Sequence, residues 1–334
     1  MDRELRNFLV EFGFASSTDA IVATTLGGGV SCDVWRIDAG GRSVCVKRAL
    51  PRLRVDALWE APVTRNTNEW RWMQFAARIV PGSVPRPLAH DPARHLLAME
   101  YLESDYYPVW KQVLLRGEAQ AQAASAVASI LVRLHAAGAN DAEIKTLFDT
   151  EAAFHALRIE PYLLEAGRRN PQVGGILGDL AERTMNTRLA LVHGDVSPKN
   201  ILVGRAGPVL LDAETAWYGD PAFDLAFCLN HLLLKCVACP FFTANYLDCF
   251  RSFASEYLSD VSWEPAAGLE QRTTLLLPAL LLARVDGKSP VEYLDGDDRS
   301  FVRRNACNWL REPPESLDAL VASWRKSLSA WKSH

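Results

Sequence analysis

Leu191-Val192-His193-Gly194-Asp195-Val196-Ser197-Pro198-Lys199-Asn200-Ile201-Leu202, followed closely by Val209-Leu210-Leu211-Asp212-Ala213-Glu214, is the most informative run in this chain. The short apolar segments Leu189 to Val192 and Val209 to Leu211 are predicted strands flanking a polar loop. The first delivers His-Gly-Asp, an Asn follows five residues after the Asp, and the second strand ends in another Asp. Phosphoryl transfer to an alcohol needs these residue types together. One carboxylate orients the hydroxyl and takes its proton, while an amide oxygen and a second carboxylate hold Mg²⁺ on the phosphates. Mg²⁺ takes hard oxygen ligands, which Asn and Asp supply.

Upstream lie further elements in a consistent order. Leu26-Gly27-Gly28-Gly29-Val30-Ser31 sits between two predicted strands. Glycines let backbone N–H groups approach phosphates, although a glycine-rich hairpin turn explains such a run equally simply. It is not a Walker A loop, because no Gly-Lys-Ser/Thr follows. Val44-Cys45-Val46-Lys47 ends an alternating strand in a Lys. Glu69, on a helix predicted over Pro62 to Ala77, is either the partner of Lys47 or the end of a capping box begun by Asn66. Leu97-Ala98-Met99-Glu100-Tyr101-Leu102 is a short apolar strand.

His193-Gly194-Asp195-x-x-x-x-Asn200 resembles the catalytic loop of the aminoglycoside phosphotransferase and choline kinase superfamily, relatives of the protein kinases in which Gly often replaces the protein-kinase Arg. The resemblance runs from about Leu26 to Leu234. It implies an α+β, two-lobed protein-kinase-like fold, with a small antiparallel-sheet N-lobe over residues 1–104 and a large, mostly helical C-lobe over residues 105–334. It implies Asp195 as catalytic base, Asn200 and Asp212 as Mg²⁺ ligands, and Glu214 as an assistant to the metal through a water. Gly27, Gly28, Gly29, Ser31, Lys47, Glu69, Glu100 and Leu102 would bind ATP or GTP. His193 would be structural, bonding backbone. Gly219-Asp220-Pro221-x-x-Asp224-Leu225-Ala226 resembles the family run after the metal-binding acid, where Asp224 ties the next helix to the catalytic loop; by itself Asp224 also reads as a first-turn helix acid.

The acceptor side is less defined. Trp217 and Tyr218 either stack on the acceptor or pack in the core. Glu214 to Gly219 is similar to the corresponding run of the methylthioribose kinases, whereas Val196-Ser197-Pro198-Lys199 departs from theirs. Arg284-Val285-Asp286-Gly287-Lys288 ends an apolar helix, so Arg284, Asp286 and Lys288 are either acceptor contacts or a helix C-cap with Gly287 in the left-handed position. Asp295, Asp297 and Asp298 are followed by Arg299, Arg303 and Arg304, so no acidic surface suited to a polycation stands out.

Composition sets bounds on function. The chain has 334 residues, 49% hydrophobic and 23% charged, enough for two domains or one two-lobed domain. A net charge of −4 gives no basic excess for nucleic acid or an anionic membrane. The longest apolar run read from the sequence, Thr274 to Ala283, is too short to span a bilayer, and Met1 to Arg6 lacks a signal-type core, so a cytoplasmic location is expected. Seven scattered cysteines do not form a disulfide framework, and Cys236-x-x-Cys239 reads as buried thiols rather than half a zinc site. The expected activity is therefore kinase transfer to a small-molecule hydroxyl. A nucleotide-binding pseudoenzyme on the same fold is the alternative. A protein kinase is disfavoured because no peptide-binding activation segment fits after Asp212.

Overall fold

A computed structural model describes residues 1–27, 31–54 and 62–331. Helix α1 (Arg3–Glu11) carries Leu5, Phe8 and Leu9 on one face, and Asp2 caps it by accepting from the Leu5 N–H at 2.9 Å. The chain then forms β1 (Val22–Thr25), β2 (Cys32–Ala39), β3 (Arg42–Ala49), helix α2 (Arg65–Ile79), β4 (Pro87–Asp91) and β5 (Leu96–Glu100). These strands make one antiparallel sheet in the order β1-β2-β3-β5-β4.

Strand β3 is central, and the two-residue period of a strand sends its side chains to two different neighbours. Val44 and Val46 join Ile37, Leu96 and Ala98 under α1. Cys45 joins Leu97 and Met99 on the opposite face, against Trp72, Met73 and Ala76 of α2. Lys47, two residues after Cys45, is thereby sent into the interior with α2. Asn66 lies inside α2, where its Oδ1 meets His90 Nε2 at 3.0 Å, so no capping box forms with Glu69.

Beyond Glu100 the chain is mostly helical: α3 (Trp110–Leu115), α4 (Ala121–Gly138), α5 (Ala142–Leu147) and α6 (Glu151–Phe154). Helix α6 continues through a π-helical stretch, His155–Leu164, into α7 (Glu165–Arg169), and α8 (Pro171–Asn186) follows. Pro161 lies inside the π-helical stretch; proline lacks an N–H and clashes with the preceding turn, which favours the wider winding. Two small antiparallel pairs come next: β6 (Ala190–Val192) with β9 (Trp217–Gly219), and β7 (Ile201–Gly204) with β8 (Gly207–Leu210). The chain closes with α9 (Pro221–Ala238), α10 (Thr243–Ser259), α11 (Ala266–Asp286), α12 (Gly296–Arg311) and α13 (Leu317–Trp331).

Helix α9 is long and apolar enough by composition to cross a membrane, but 94% of that window is buried inside the protein. Asp295 and Asp298 form a reciprocal capping box on α12, which accounts for two of the three clustered acids. Gly287 departs from the left-handed cap expected of it: its φ is −83°. A Cβ there would lie 2.5 Å from the Ala283 carbonyl oxygen and 2.8 Å from that of Pro161, so glycine serves the close approach of the π-helical stretch to α11. The Cys236 thiol donates to Leu232 O and the Cys239 thiol to Leu115 O.

Candidate active site

Strand β6 ends at Val192, and the next three residues are held by backbone geometry. Gly194 has φ +79°, and a Cβ would meet Thr215 Oγ1 at 2.7 Å and Thr215 O at 2.8 Å. Asp224, in the first turn of α9, accepts from the His193 N–H at 2.7 Å and the Gly194 N–H at 2.8 Å. Its Oδ2 also lies 3.2 Å from His135 Nε2 on α4. Asp224 therefore joins α9, α4 and the loop. The His193 ring accepts from the Asp195 N–H at Nδ1 and donates from Nε2 to Leu211 O at 3.1 Å. Burial lowers its pKa, so the ring stays neutral and bonds backbone on both sides.

These constraints deliver Asp195, which is only 3% exposed. Its two oxygens differ. Oδ2 accepts from Asn200 Nδ2 at 2.7 Å and pairs with Arg158 Nη2 at 2.8 Å and Lys199 Nζ at 3.2 Å. Oδ1 is buried and has no hydrogen-bond partner among the described residues. Arg158 comes from the π-helical stretch and is anchored by donating from Nε to Gly194 O and from Nη1 to Leu157 O, each at 2.6 Å.

Lys47 lies where the sheet meets the helical part. Its Nζ donates to Glu69 Oε1 and Oε2 at 2.6 and 2.8 Å and to Asp212 Oδ1 at 2.7 Å. Burial opposes the Lys47 charge, but Asp212 and Glu69 overcome it and hold the ammonium above the ordinary lysine range. Burial pushes Glu69 up to about 7 despite Lys47. Burial also acts against the Asp212 charge, yet Lys47, Lys199 and Arg158 hold its carboxyl below the usual carboxylate range. Asp212 adopts φ +68°, a left-handed conformation that Asp tolerates better than most residues and that places it opposite Lys47.

A divalent cation suits what remains of this donor set. Asn200 uses its amide nitrogen on Asp195, which leaves its Oδ1 available, and Asp212 is bonded to Lys47 through Oδ1, which leaves Oδ2. Mg²⁺ is commonly held by one or two such oxygens, with phosphates and waters completing the shell. Among the described residues no group of three or more His, Cys, Asp or Glu forms an all-protein metal cage. Glu214, expected beside the metal, has other partners: its Oε2 accepts from Arg65 Nε at 2.9 Å and from the Cys32 thiol at 3.5 Å. A buried guanidinium beside this carboxylate gives it a scaffold partner.

Among the other expected nucleotide contacts, Gly28 and Gly29 lie outside the described residues, while Gly27 sits just after β1 with open space around its Cα. Ser31 is buried, its carbonyl accepting from Arg65 Nη2 at 2.6 Å. Glu100 ends β5 and accepts from the Arg86 N–H through Oε2, and Leu102 follows, half-buried.

Four of the residues considered for the acceptor have partners inside the protein. Trp217 is 1% exposed and stacks on Phe154 at 4.2 Å, and the Tyr218 hydroxyl donates to Leu189 O; both belong to the core around β9. Asp286 is taken by Arg303 and Asn170, and Lys288 by Glu160, because the end of α11 is fastened to its neighbours. Arg284 differs: its Nη1 donates to the hydroxyl of Tyr162 at 3.1 Å, and Arg158 also lies over the Tyr162 ring. The sequence reading missed Arg158, Arg65 and His135, which no local motif marks. Lys199 was visible in the loop itself as a cation four residues after Asp195.

A profile of the phosphotransferase enzyme family matches residues 22–235. The methylthioribose kinase of Erwinia tasmaniensis is 26% identical over 259 residues, covering 69% of this chain and 64% of that protein. The chain thus matches just under two thirds of that relative's length. The methylthioribose kinase of Yersinia pseudotuberculosis serotype IB is 25% identical over 353 residues, covering 89% and 86%. Among solved structures, an ethanolamine kinase of Plasmodium vivax superposes with a TM-score of 0.58 at 12% identity, covering 91% of this chain and 87% of that one. The architecture is the two-lobed kinase-like fold, with an antiparallel sheet in the N-terminal part.

Proposed function

Because the chain belongs to the phosphotransferase enzyme family, we propose that it transfers the γ-phosphoryl group of ATP, or GTP, to a hydroxyl of a small molecule such as a sugar, an amino alcohol or an aminoglycoside-like compound. The observation that carries this reading is the division of labour at Asp195. Oδ2 is fixed by three donors, whereas the buried Oδ1 has no partner among the described residues and is poised to accept a hydroxyl proton. The acceptor oxygen forms a bond to the γ-phosphorus, the bond from that phosphorus to the bridging oxygen breaks, and the proton passes to Asp195 Oδ1. Lys47, held by Glu69, takes the α- and β-phosphates, and the glycine-rich segment around Gly27, Gly28 and Gly29 covers them. Asn200 Oδ1 and Asp212 would hold Mg²⁺, which when bound neutralises phosphate charge. Glu100 and Leu102 would border the adenine, with the lobe boundary near residue 104. The names of the relatives favour a sugar acceptor, and the reaction belongs in the cytoplasm, where ATP is supplied.

A pseudoenzyme is the weaker reading, since base, lysine and metal positions are all filled by competent residues. Asp195→Asn is expected to lower Mg²⁺-dependent ATP turnover by about 10²–10⁴-fold with nucleotide affinity nearly unchanged. Asp212→Ala should instead weaken Mg²⁺-dependent nucleotide binding in titration calorimetry. Background hydrolysis untouched by Asp195→Asn, or equal affinity losses in the two variants, would overturn these assignments.

A further inference from the structure

Beside Asp195 lies a group of cations that the transfer chemistry does not use. Arg158 passes over the rings of Tyr162 at 5.7 Å and Phe227 at 5.9 Å. Arg284 reaches the same Tyr162 from α11, and the His231 ring lies 5.6 Å from Phe227, one turn further along α9. Lys235 follows one turn later on that stripe. These contacts link Arg158, beside the catalytic carboxylate, through Tyr162 and Phe227 to Arg284 and His231, with Lys235 one turn beyond on α9.

The charges in this group are unbalanced. Arg158 and Lys199 share the one carboxylate of Asp195, and Lys111 is paired with Glu292. Lys235 is 1% exposed and has no hydrogen-bond or carboxylate partner among the described residues; its contact is the Tyr293 ring, 3.6 Å from Nζ. Arg284 is also buried, and among the described residues it is met by the Tyr162 hydroxyl and the Ser289 carbonyl and hydroxyl, all neutral, while its Nε has no partner there. The buried Tyr293 hydroxyl and Ser197 Oγ are likewise unpartnered among the described residues. A buried lysine without a counter-charge is expensive in a folded protein, and buried donors left unmatched indicate a ligand that matches them. Burial, reinforced by Lys111, lowers the Lys235 pKa, as expected for an ammonium that lacks its anion.

We propose that His231 and Lys235 of α9, Arg284 of α11 and Tyr293 form the acceptor subsite, and that it selects a hydroxyl compound bearing an anionic group, a carboxylate or a phosphate ester, bound by Lys235 and Arg284. This assignment rests on the phosphotransferase reading and narrows its substrate class. Acceptors bearing only positive charge are disfavoured, because these cations repel them.

Matched acceptors test this. Coupled ADP-release assays compare glycerate and glycerol 3-phosphate with glycerol, gluconate with glucose, and all of these with choline. The anionic member of each pair is expected to have at least about a tenfold higher kcat/KM, and the carboxylate and phosphate arms identify which anion the site takes. Lys235→Met should raise the KM of the preferred anion at least about tenfold while leaving the KM for ATP within about twofold. If Lys235→Met does not fold, Arg284→Gln gives the same readout. Titration calorimetry of the same anions into Asp195→Asn protein, loaded with Mg²⁺ and a non-hydrolysable ATP analogue, reads binding without turnover. Preference for the neutral or cationic partners, no heat from any anion, or an anion KM unmoved by both substitutions overturns the anionic subsite. Absence of nucleotide binding by the unmodified protein would instead remove the phosphotransferase reading itself.

Discussion

Gly194 shows how much of this site depends on one missing side chain. Its positive φ and the Thr215 carbonyl packed against it leave no room for a Cβ, and the same turn presents two N–H groups to Asp224. Gly194→Ala has to relieve a left-handed conformation costing about 1–2 kcal/mol and a contact with backbone that cannot swing away. We expect a lower melting temperature together with a kcat loss larger than the change in KM for ATP, measured by thermal unfolding and steady-state kinetics. An unchanged kcat would show that the loop tolerates the shift. Asp212 and His193 make the same point: one is a left-handed carboxylate facing Lys47, the other a neutral imidazole bonded to backbone. Their residue types were legible in the sequence, but their conformations follow from neighbours many residues away.

At the scale of the element, α9 combines two duties. Pro221 at its start and Asp220 as cap, accepting from the Ala222 N–H, set where it begins, and Asp224 then fastens it to the catalytic loop. Phe227, His231 and Lys235 recur at helical spacing on one stripe of an otherwise apolar, buried helix. Burial lowers the Lys235 pKa to about 7 and the His231 pKa well below its ordinary value. The folded pKa of Lys235 lies below that of the unfolded chain. Its charge therefore opposes folding most strongly below about pH 7, and this penalty disappears as pH rises toward about 10.5. Lys235→Met should accordingly be more stable than the parent near neutral pH, with the advantage shrinking through that window. Melting curves from pH 6.5 to 10 check this, and a difference independent of pH would mean that Lys235 is not held in its unfavourable charged state.

Across the whole molecule, buried ion pairs join the sheet to the helical part. Lys47 reaches Asp212, and Arg65 reaches Glu214 while also donating to the Ser31 and Leu50 carbonyls. Breaking a buried pair on one side costs more than removing both partners, because a lone charge is left behind. Arg65→Gln is expected to destabilise the protein by about 3–5 kcal/mol in urea unfolding, and pairing it with Glu214→Gln should recover part of that loss. Additive effects of the two substitutions would show that they do not act as a pair.

The catalytic loop, the lysine strand and the second aspartate were readable because each rests on local spacing along consecutive elements. The alternation of β3 already sends Lys47 to one face, and the Asn five residues after Asp195 is held near it by a single turn. The apolar helix that ends at Arg284 was readable from its composition, whereas the π winding of His155–Leu164 leaves no mark in the sequence. Only the tertiary structure brings Arg158, from a helix 36 residues before Gly194, and Arg65, 149 residues before Glu214, onto their carboxylates. It also consigns Trp217 and Tyr218 to the core and leaves Lys235 and Arg284 without a carboxylate among the described residues. The physical reason is that a side chain's charge balance depends on everything packed around it, and sequence order specifies only the neighbours along the chain.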